Sequence, residues 1–552
     1  MKKQTDIPGN ASTKAKIEAG GSLSSNIATT TGEDRDQDWI AVKLESGSTY
    51  TFSLTGSGAS PLEDPFLEIL DGTGTVLISD DDSGEGRNSL LVFTADKTGT
   101  YYINASSFPG QAPGDYTVTV ELGDTRLDTP LDAIDGTAAV TWEVFGENNT
   151  TVEVYFAQAN EGFASLGWSD FEIEQALGAF SQFSSIIDVN YVQVFDSADA
   201  DLVLITEDIL DAADAYFVPS EDGPSLAVFD NTVTHWASSL VQGGTAFTTL
   251  LHEFGHFLGL GHTHDPAQDD GILHGVTSAF GDFGDFDLNQ TVYSAMSYNN
   301  GWFTGPQEGF APDAYGKAGG LMAFDIAVLQ EEYGANLTWQ TGDDTYLLPT
   351  VNGVATFYSC IWDAAGVDTI SAENATVGSV INLNDATLLY EPGGGGFISF
   401  VADVHGGFTI ANGVIIENAK GGSGADLIVG NEADNILAGG DGMDHLDGGS
   451  GDDELFGDAG DDVLIGGSGE DQLHGGVGAD QFVFVDEIDR DVIHDYIDGT
   501  DVLDMREQTG AKNFHQLKFF QEANGVVIDY QTGSVLLLGV SKAELDAGDF
   551  LF

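Results

Sequence analysis

The chain has 552 residues, 41% of them hydrophobic and 10% aromatic, and its 90 Asp plus Glu against 16 Lys plus Arg give a formal charge of −74. That length exceeds what one core of roughly 250–300 residues can serve, so about three domains are expected, and the apolar content suits folded material. The charge excludes nucleic acid and anionic membranes as partners, and a compact chain this acidic needs bound calcium or salt to offset its self-repulsion.

A single cysteine, Cys360, excludes an intramolecular disulfide and a cysteine zinc cluster, so any metal must sit on His and carboxylates. Residues 1–22 are small and polar and read as a flexible leader or propeptide-like tail. Their basic start is not followed by the ~7–15 apolar residues of a Sec signal. No segment approaches the ~18 apolar residues of a membrane-spanning helix, so no membrane insertion is expected. Residues 23–123 carry short alternating segments between Gly/Asp/Ser turns, among them WIAVKL, TYTFSLTG, PFLEILD, TYYINAS and DYTVTVEL, which predict an antiparallel β-sandwich. The order DQDWIAVKL, DPFLEILDGTGTVLISDDDSG, GTYYINASS and GDYTVTV resembles the bacterial pre-peptidase C-terminal domain. Asp80, Asp81 and Asp82 within it read as an acidic turn or as a calcium loop.

Residues 124–336 change to a mixed α/β pattern. Ser169 and Glu172 form a capping box ahead of Ile173, Leu177 and Phe180 at helical spacing, and VEVYFA, VNYVQV and ADLVLI read as strands around that helix. Residues 252–262 read HEFGHFLGLGH after the apolar run Phe247 to Leu251. His252 and His256, four apart, project from one helix face and can share a metal. Leu251, Phe254 and Leu258 occupy the opposite side, and Gly259 permits the left-handed turn that brings in His262 as a third ligand. Three neutral imidazoles leave an open position on zinc, where a water falls in pKa to about 7. Glu253 is placed to take its proton and later pass it to the leaving amine.

This extended motif resembles the metzincin metalloproteases, which implies a Met-turn beneath the zinc; YSAMSY at 293–298 is similar to it, with Met296 as the turn methionine. Resemblance to the serralysin branch further implies that Tyr298 ligates zinc and swings to stabilise the oxyanion. The chain departs after the third histidine, where that branch has Pro and this sequence has Thr263, His264 and Asp265. His264 reads as a surface residue or as one that touches a ligand and not the metal, with competition as a ligand left open. The acidic, aromatic stretch GDFGDFDLN before the Met-turn is expected to shape the cleft.

Residues 337–552 are Gly- and Asp-rich. Gly421, Gly430, Gly439, Gly448, Gly457, Gly466 and Gly475 recur every nine residues, each opening a unit close to GGxGxDxUx, with Ile428, Leu437, Leu446, Leu455, Leu464, Leu473 and Phe482 at the eighth place. That repeat is the sequence form of a parallel β-roll. Its aspartates Asp426, Asp444, Asp453, Asp462, Asp471 and Asp480, with backbone carbonyls at Gly422, Gly424, Gly440, Gly442, Gly449, Gly451, Gly467 and Gly469, suit several structural calcium ions. Asn435 breaks the series and predicts a weaker half-site. No Lys or Arg lies between Gly421 and Gln481, so without calcium the roll should be largely unfolded.

The resemblance to serralysins extends through FDIAVLQEEYGAN, IWDAAGVDTI and GVIIENAKGGSGADLIVGNEADNIL, so it covers roughly residues 127–552. It implies a secreted, extracellular, monomeric zinc endopeptidase acting on protein and peptide substrates. It also implies export through a type I secretion apparatus on an uncleaved C-terminal signal, which the ending Asp549, Phe550, Leu551 and Phe552 is similar to. Two rivals are another enzyme borne on calcium repeats, for which no GxSxG elbow is present, and an inactive adhesive protein, which the intact Glu253 and three histidines argue against.

Overall fold

The computed structural model describes residues 13–552 except 14, 18–20, 28–36, 45–47, 58–60, 63–64, 81–88, 96, 108–113, 123–128, 136–149, 160–162, 210–213, 221–222, 265–271, 308 and 486–488. The chain divides into two compact units, residues 1–128 and 129–552.

Strands of the first unit alternate inward and outward side chains, as in Asp38–Leu44, where Ile40, Val42 and Leu44 are buried. Two sheets share one core. One runs Lys16–Ile17, Asp38–Leu44, Gly99–Ser107, Pro65–Leu70, Val76–Asp80, and the other Gly21–Asn26, Asp115–Leu122, Thr49–Gly56, Ser89–Thr94. Among the described strands of this unit, pairing is antiparallel except where Lys16–Ile17 lies parallel to Ala41–Val42. Phe52, Leu67, Ile103 and Val118 meet in the middle, and the Tyr116 hydroxyl donates to Asp38 at 2.6 Å. The expected sandwich is present, with one correction. The tail assigned to residues 1–22 is not free at Lys16–Ile17 or at Gly21–Ser22: Ile17 is buried in the core, and Gly21 opens a strand paired with Val120. Two-residue pairing leaves no alternation to read, so the sequence pattern missed it. Asp81 and Asp82, and the side chain of Asp80, lie outside the described residues.

The second unit begins with a five-stranded sheet in the order Asn190–Val194, Thr151–Phe156, Leu202–Thr206, Ser225–Phe229, Ala215–Val218, parallel except for the last strand. Leu202–Thr206 is buried along its whole length, as the centre of such a sheet requires. The helix Asp170–Ile186 starts at the expected box, Glu172 N donating to Ser169 Oγ at 3.3 Å and Ser169 N to Glu172 Oε2 at 2.8 Å. Its buried face is Ala176, Ala179, Phe180 and Phe183; Ile173 and Leu177 are only half-buried. Phe180 stacks on Phe254 of the helix Thr245–Phe257 at 3.9 Å and 8°, and Phe229 meets Phe254 edge-on. Such ring contacts fix the rotation of the HEFGH helix about its axis.

From Thr345 onward the chain winds into two ten-stranded sheets. Successive repeats alternate between them, so each strand pairs in parallel with the one two repeats on: Leu446 with Leu464, Leu437 with Leu455. The aliphatic row from Ile428 to Phe482 is fully buried between the sheets, as the repeat predicts. Antiparallel strands Lys518–Gln521, Gly525–Asp529 and Ser534–Leu538 close one sheet, and Phe550–Leu551 adds the last strand of the other. Among the described residues no helix is long and apolar enough to cross a membrane.

Candidate active site and metal centres

The helix Thr245–Phe257 buries Leu251 and Phe254 on one side and carries His252, Glu253 and His256 on the other. It stops at Gly259, whose φ of +100° is the left-handed conformation that a side chain disfavours. The turn there returns His262 to the helix. Gly255, inside the motif, has a packing reason: a Cβ there would lie 2.8 Å from Met296 Sδ. Met296 is fully buried against the helix, where the Met-turn reading puts it.

The tautomers follow from the partners. His252 Nδ1 faces the Ala295 carbonyl at 3.0 Å and His256 Nδ1 faces the Leu260 carbonyl at 2.8 Å. A carbonyl only accepts, so each Nδ1 carries the proton and each Nε2 is left with a lone pair. His262 Nε2 lies 3.1 Å from His252 Nε2 and 3.0 Å from His256 Nε2. Three imidazoles whose Nε2 atoms face one another with one side open are a donor set that suits zinc. Burial, and then the neighbouring imidazoles, hold His252 well below the usual histidine range; burial lowers His256 too. Both are therefore in the neutral form a ligand needs.

Glu253 is 5% exposed, and its Oε2 has no hydrogen-bond partner among the described residues. Burial pushes its carboxyl up to about 8. A buried carboxyl without a partner is costly unless a ligand or water meets it. The Tyr298 hydroxyl lies 3.2 Å from His262 Nε2, and its ring is 37% exposed in the cleft. A cavity of about 280 Å³ opens over these groups, walled by Ala215, Tyr216 and Phe217 of the antiparallel edge strand. Thus His252, Glu253, His256, His262, Met296 and Tyr298 lie together in the structure.

Asp325 was not legible. It is fully buried and accepts from Ser294 Oγ at 2.7 Å, Ala295 N at 2.8 Å and Met322 N at 3.0 Å, with burial pushing its carboxyl up to about 6. It therefore pins the Met-turn and, through the Ala295 carbonyl, His252. Its only sequence signal is an acidic residue in the first turn of the helix Ala323–Tyr333.

The repeat aspartates form a separate array. Each Oδ1 of Asp444, Asp453, Asp462, Asp471 and Asp480 accepts the backbone N–H eighteen residues earlier, at 2.7–3.1 Å. The second oxygens of Asp444, Asp453, Asp462 and Asp471 are buried with no partner among the described residues. Burial first, then neighbouring aspartates, pushes Asp453 and Asp462 up to about 7. Acceptors without donors, crowded with like charge, fit a hard divalent cation such as calcium. Asn435 instead donates to Glu417 O and Asn431 Oδ1 and accepts from Asn431 N, so its amide is used within the chain. The ladder runs on beyond the nonapeptides: Asp471 N donates to Asp491 and Asp480 N to Asp501, at separations of 20 and 21 that a nine-residue search misses. Asp344, Asp363 and Asp368 form a further oxygen cluster within 4.8 Å. Cys360 is buried and far up at about 12, without a role at either site.

Residues 333–543 match the family model described as peptidase M10 serralysin C terminal, and residues 36–107 match the bacterial pre-peptidase C-terminal domain. Metallopeptidase AprA of Pseudomonas marginalis is 31% identical over 296 residues, covering 49% of this chain and 57% of the relative. Metalloprotease AprA of Pseudomonas entomophila is 32% identical, covering 50% and 59%, and serralysin of Photorhabdus luminescens is 30% identical, covering 47% and 52%. The chain thus spans little more than half the length of these curated relatives. It is a serralysin-like chain with a domain like the pre-peptidase C-terminal domain in front.

Proposed function

We propose that this serralysin-like chain is a secreted zinc metalloendopeptidase that hydrolyses internal peptide bonds of extracellular proteins. The observation that carries the reading is the convergence of three Nε2 atoms beside Glu253, whose buried Oε2 has no hydrogen-bond partner among the described residues. Residues 124–336 are the metzincin-type catalytic domain, and 337–552 the calcium-binding roll through which the chain folds after type I export. His252, His256 and His262 hold the zinc, with Tyr298 as a fourth contact. When bound, zinc supplies Lewis acidity toward a water and the substrate's carbonyl.

The chain's own residues do the rest. The edge strand Ala215–Val218 pairs on one side with Ser225–Phe229 and offers its other side to the cleft, so an extended peptide can add as a further strand. Glu253, kept in a dry site, takes the proton of the attacking water and returns it to the leaving amine. The Tyr298 hydroxyl, beside His262 in the cleft, donates to the oxyanion that develops on the carbonyl. Calcium is held by Asp426, Asp444, Asp453, Asp462, Asp471 and Asp480 with the glycine carbonyls, and the Asp344 cluster offers the same oxygen chemistry.

Glu253→Ala tests this directly. It should retain one zinc per chain, because Glu253 is no ligand, while peptide turnover falls by about 10²–10⁴ or more. Metal analysis beside casein hydrolysis, with and without chelator, separates the two halves. Near-normal turnover in the variant would exclude the mechanism.

A further inference from the structure

We infer that His264 and Phe280 are positioning residues for Tyr298, forming an aromatic seat that holds its phenol toward the three imidazoles; this rests on the catalytic reading of Tyr298 above. Among the described residues, the rings of His252, His262, His264 and Phe280 lie against that of Tyr298. His252 and His262, at 5.5 and 5.1 Å between centroids, belong to the ligand set. His264 at 4.3 Å and Phe280 at 5.3 Å do not. His264 also lies against His262, at 5.0 Å and 27°. One side chain therefore touches both a ligand and the phenol.

Both seat residues stand on anchored backbone. His264 follows the fully buried Thr263, whose hydroxyl donates to Asn289 Oδ1 at 2.6 Å and whose carbonyl accepts Leu273 N at 3.0 Å. Phe280 is 69% exposed, which a loose loop would not use to hold a large apolar ring in place. Its loop is tied instead: Thr277 N and Oγ1 donate to Asp282 Oδ2 at 2.8 and 2.7 Å, and Gly281 N donates to Asn299 Oδ1 at 2.8 Å. Asn299 Nδ2 closes the tie on the Asp282 carbonyl at 2.9 Å. Because Asn299 directly follows Tyr298, the loop bearing Phe280 and the backbone bearing the phenol are held in one register.

A tyrosine more than a third exposed has several accessible rotamers in an open cleft, and each ring contact biases that choice by about 2- to 10-fold. The seat selects the rotamer whose hydroxyl is 3.2 Å from His262 Nε2. From there the hydroxyl would be within reach of a substrate carbonyl bound beside the three imidazoles. Turnover then depends on how often the phenol is seated, whereas ground-state binding does not.

The test uses the full-length protein with copper(II) in place of zinc, reading the phenolate-to-copper charge-transfer absorption, together with kcat and KM of the zinc form on a peptide. His264→Ala and Phe280→Ala should each lower the absorption and kcat by about 2- to 10-fold, with KM and metal content unchanged. His264→Phe, which restores a ring without a nitrogen, should keep both. Wild-type absorption and kcat in both alanine variants would overturn the seat, as would a His264→Phe variant that falls as far as His264→Ala. If His264→Ala does not fold by circular dichroism, Phe280→Ala on its exposed side chain decides alone. A Tyr298→Phe reference that turns over normally, with no absorption in the unsubstituted protein, would instead remove the role of Tyr298 and the seat with it.

Discussion

The proton on His252 Nδ1 is fixed by one carbonyl, Ala295 O, and that carbonyl's residue is fixed by one carboxylate, Asp325. A chain of two hydrogen bonds thus reaches from the first turn of a distant helix to a metal-facing nitrogen. Asp325→Ala would leave three buried donors without an acceptor, each costing about 1–3 kcal/mol. We expect a lowered Tm and a 10–100-fold loss of zinc affinity, the usual scale for groups that orient ligands. Competition against a chelator measures it; unchanged affinity in a folded variant would show that the Met-turn holds His252 unaided. Tyr298→Phe belongs to the other kind. It removes a hydroxyl from a partly exposed ring, so zinc and fold should persist while kcat falls and KM stays, since the oxyanion that the hydroxyl is proposed to meet forms only along the reaction path. Equal kcat would remove Tyr298 from the mechanism. The ligands and Glu253 were legible because their spacing is set by one helix turn and a glycine stop. Asp325 was not, because its two partners in the Met-turn, Ser294 and Ala295, lie 31 and 30 residues away and no local period relates them.

At the scale of elements, the roll is the most legible part of the chain and the most exacting in its glycines. Gly467 has φ +102°, and a Cβ there would lie 2.1 Å from the Gly449 carbonyl of the adjacent coil. Gly467→Ala must therefore strain the backbone and push two coils apart, while Leu464→Ala empties a fully buried place in the aliphatic row. We expect each to lower the Tm in saturating calcium, Leu464→Ala by a stability loss of about 2–5 kcal/mol, with Val463→Ala, half-buried on the outer face, nearly silent. Equal effects at positions 463 and 464 would mean the row is not the core. The same nine-residue period that made these places readable hid the ladder's continuation. Asp491 and Asp501 keep the hydrogen-bond geometry while their spacing stretches to 20 and 21 residues. In the first unit, alternation revealed the long strands, yet Lys16–Ile17 is held by one buried isoleucine and the parallel edge it joins.

For the whole molecule, the charge of −74 and the fold meet in the roll. Asp444, Asp453, Asp462 and Asp471 each keep one buried oxygen without a donor, and no Lys or Arg stands between Gly421 and Gln481 to answer them. Stacking the coils brings these carboxylates together, so closing the aliphatic core and assembling the acidic ladder are one event with opposed energies. Burial of the row favours closure; repulsion and desolvation of the aspartates oppose it. Calcium bound only by the closed form adds RT ln(1 + [Ca]/Kd), about 2.7 kcal/mol at a hundred times Kd for each site, and several sites add together. Scarce free calcium would thus leave this stretch open, and abundant calcium would close it, which is what the proposed export requires. The expected outcome is local. In the full-length protein, amides of residues 421–482 should exchange rapidly with deuterium in excess chelator and become protected as calcium is added, while the helix Asp170–Ile186 is protected in both. Protection of 421–482 already complete in chelator would uncouple folding from calcium, because the hydrophobic row alone would then outweigh the repulsion of its own ladder.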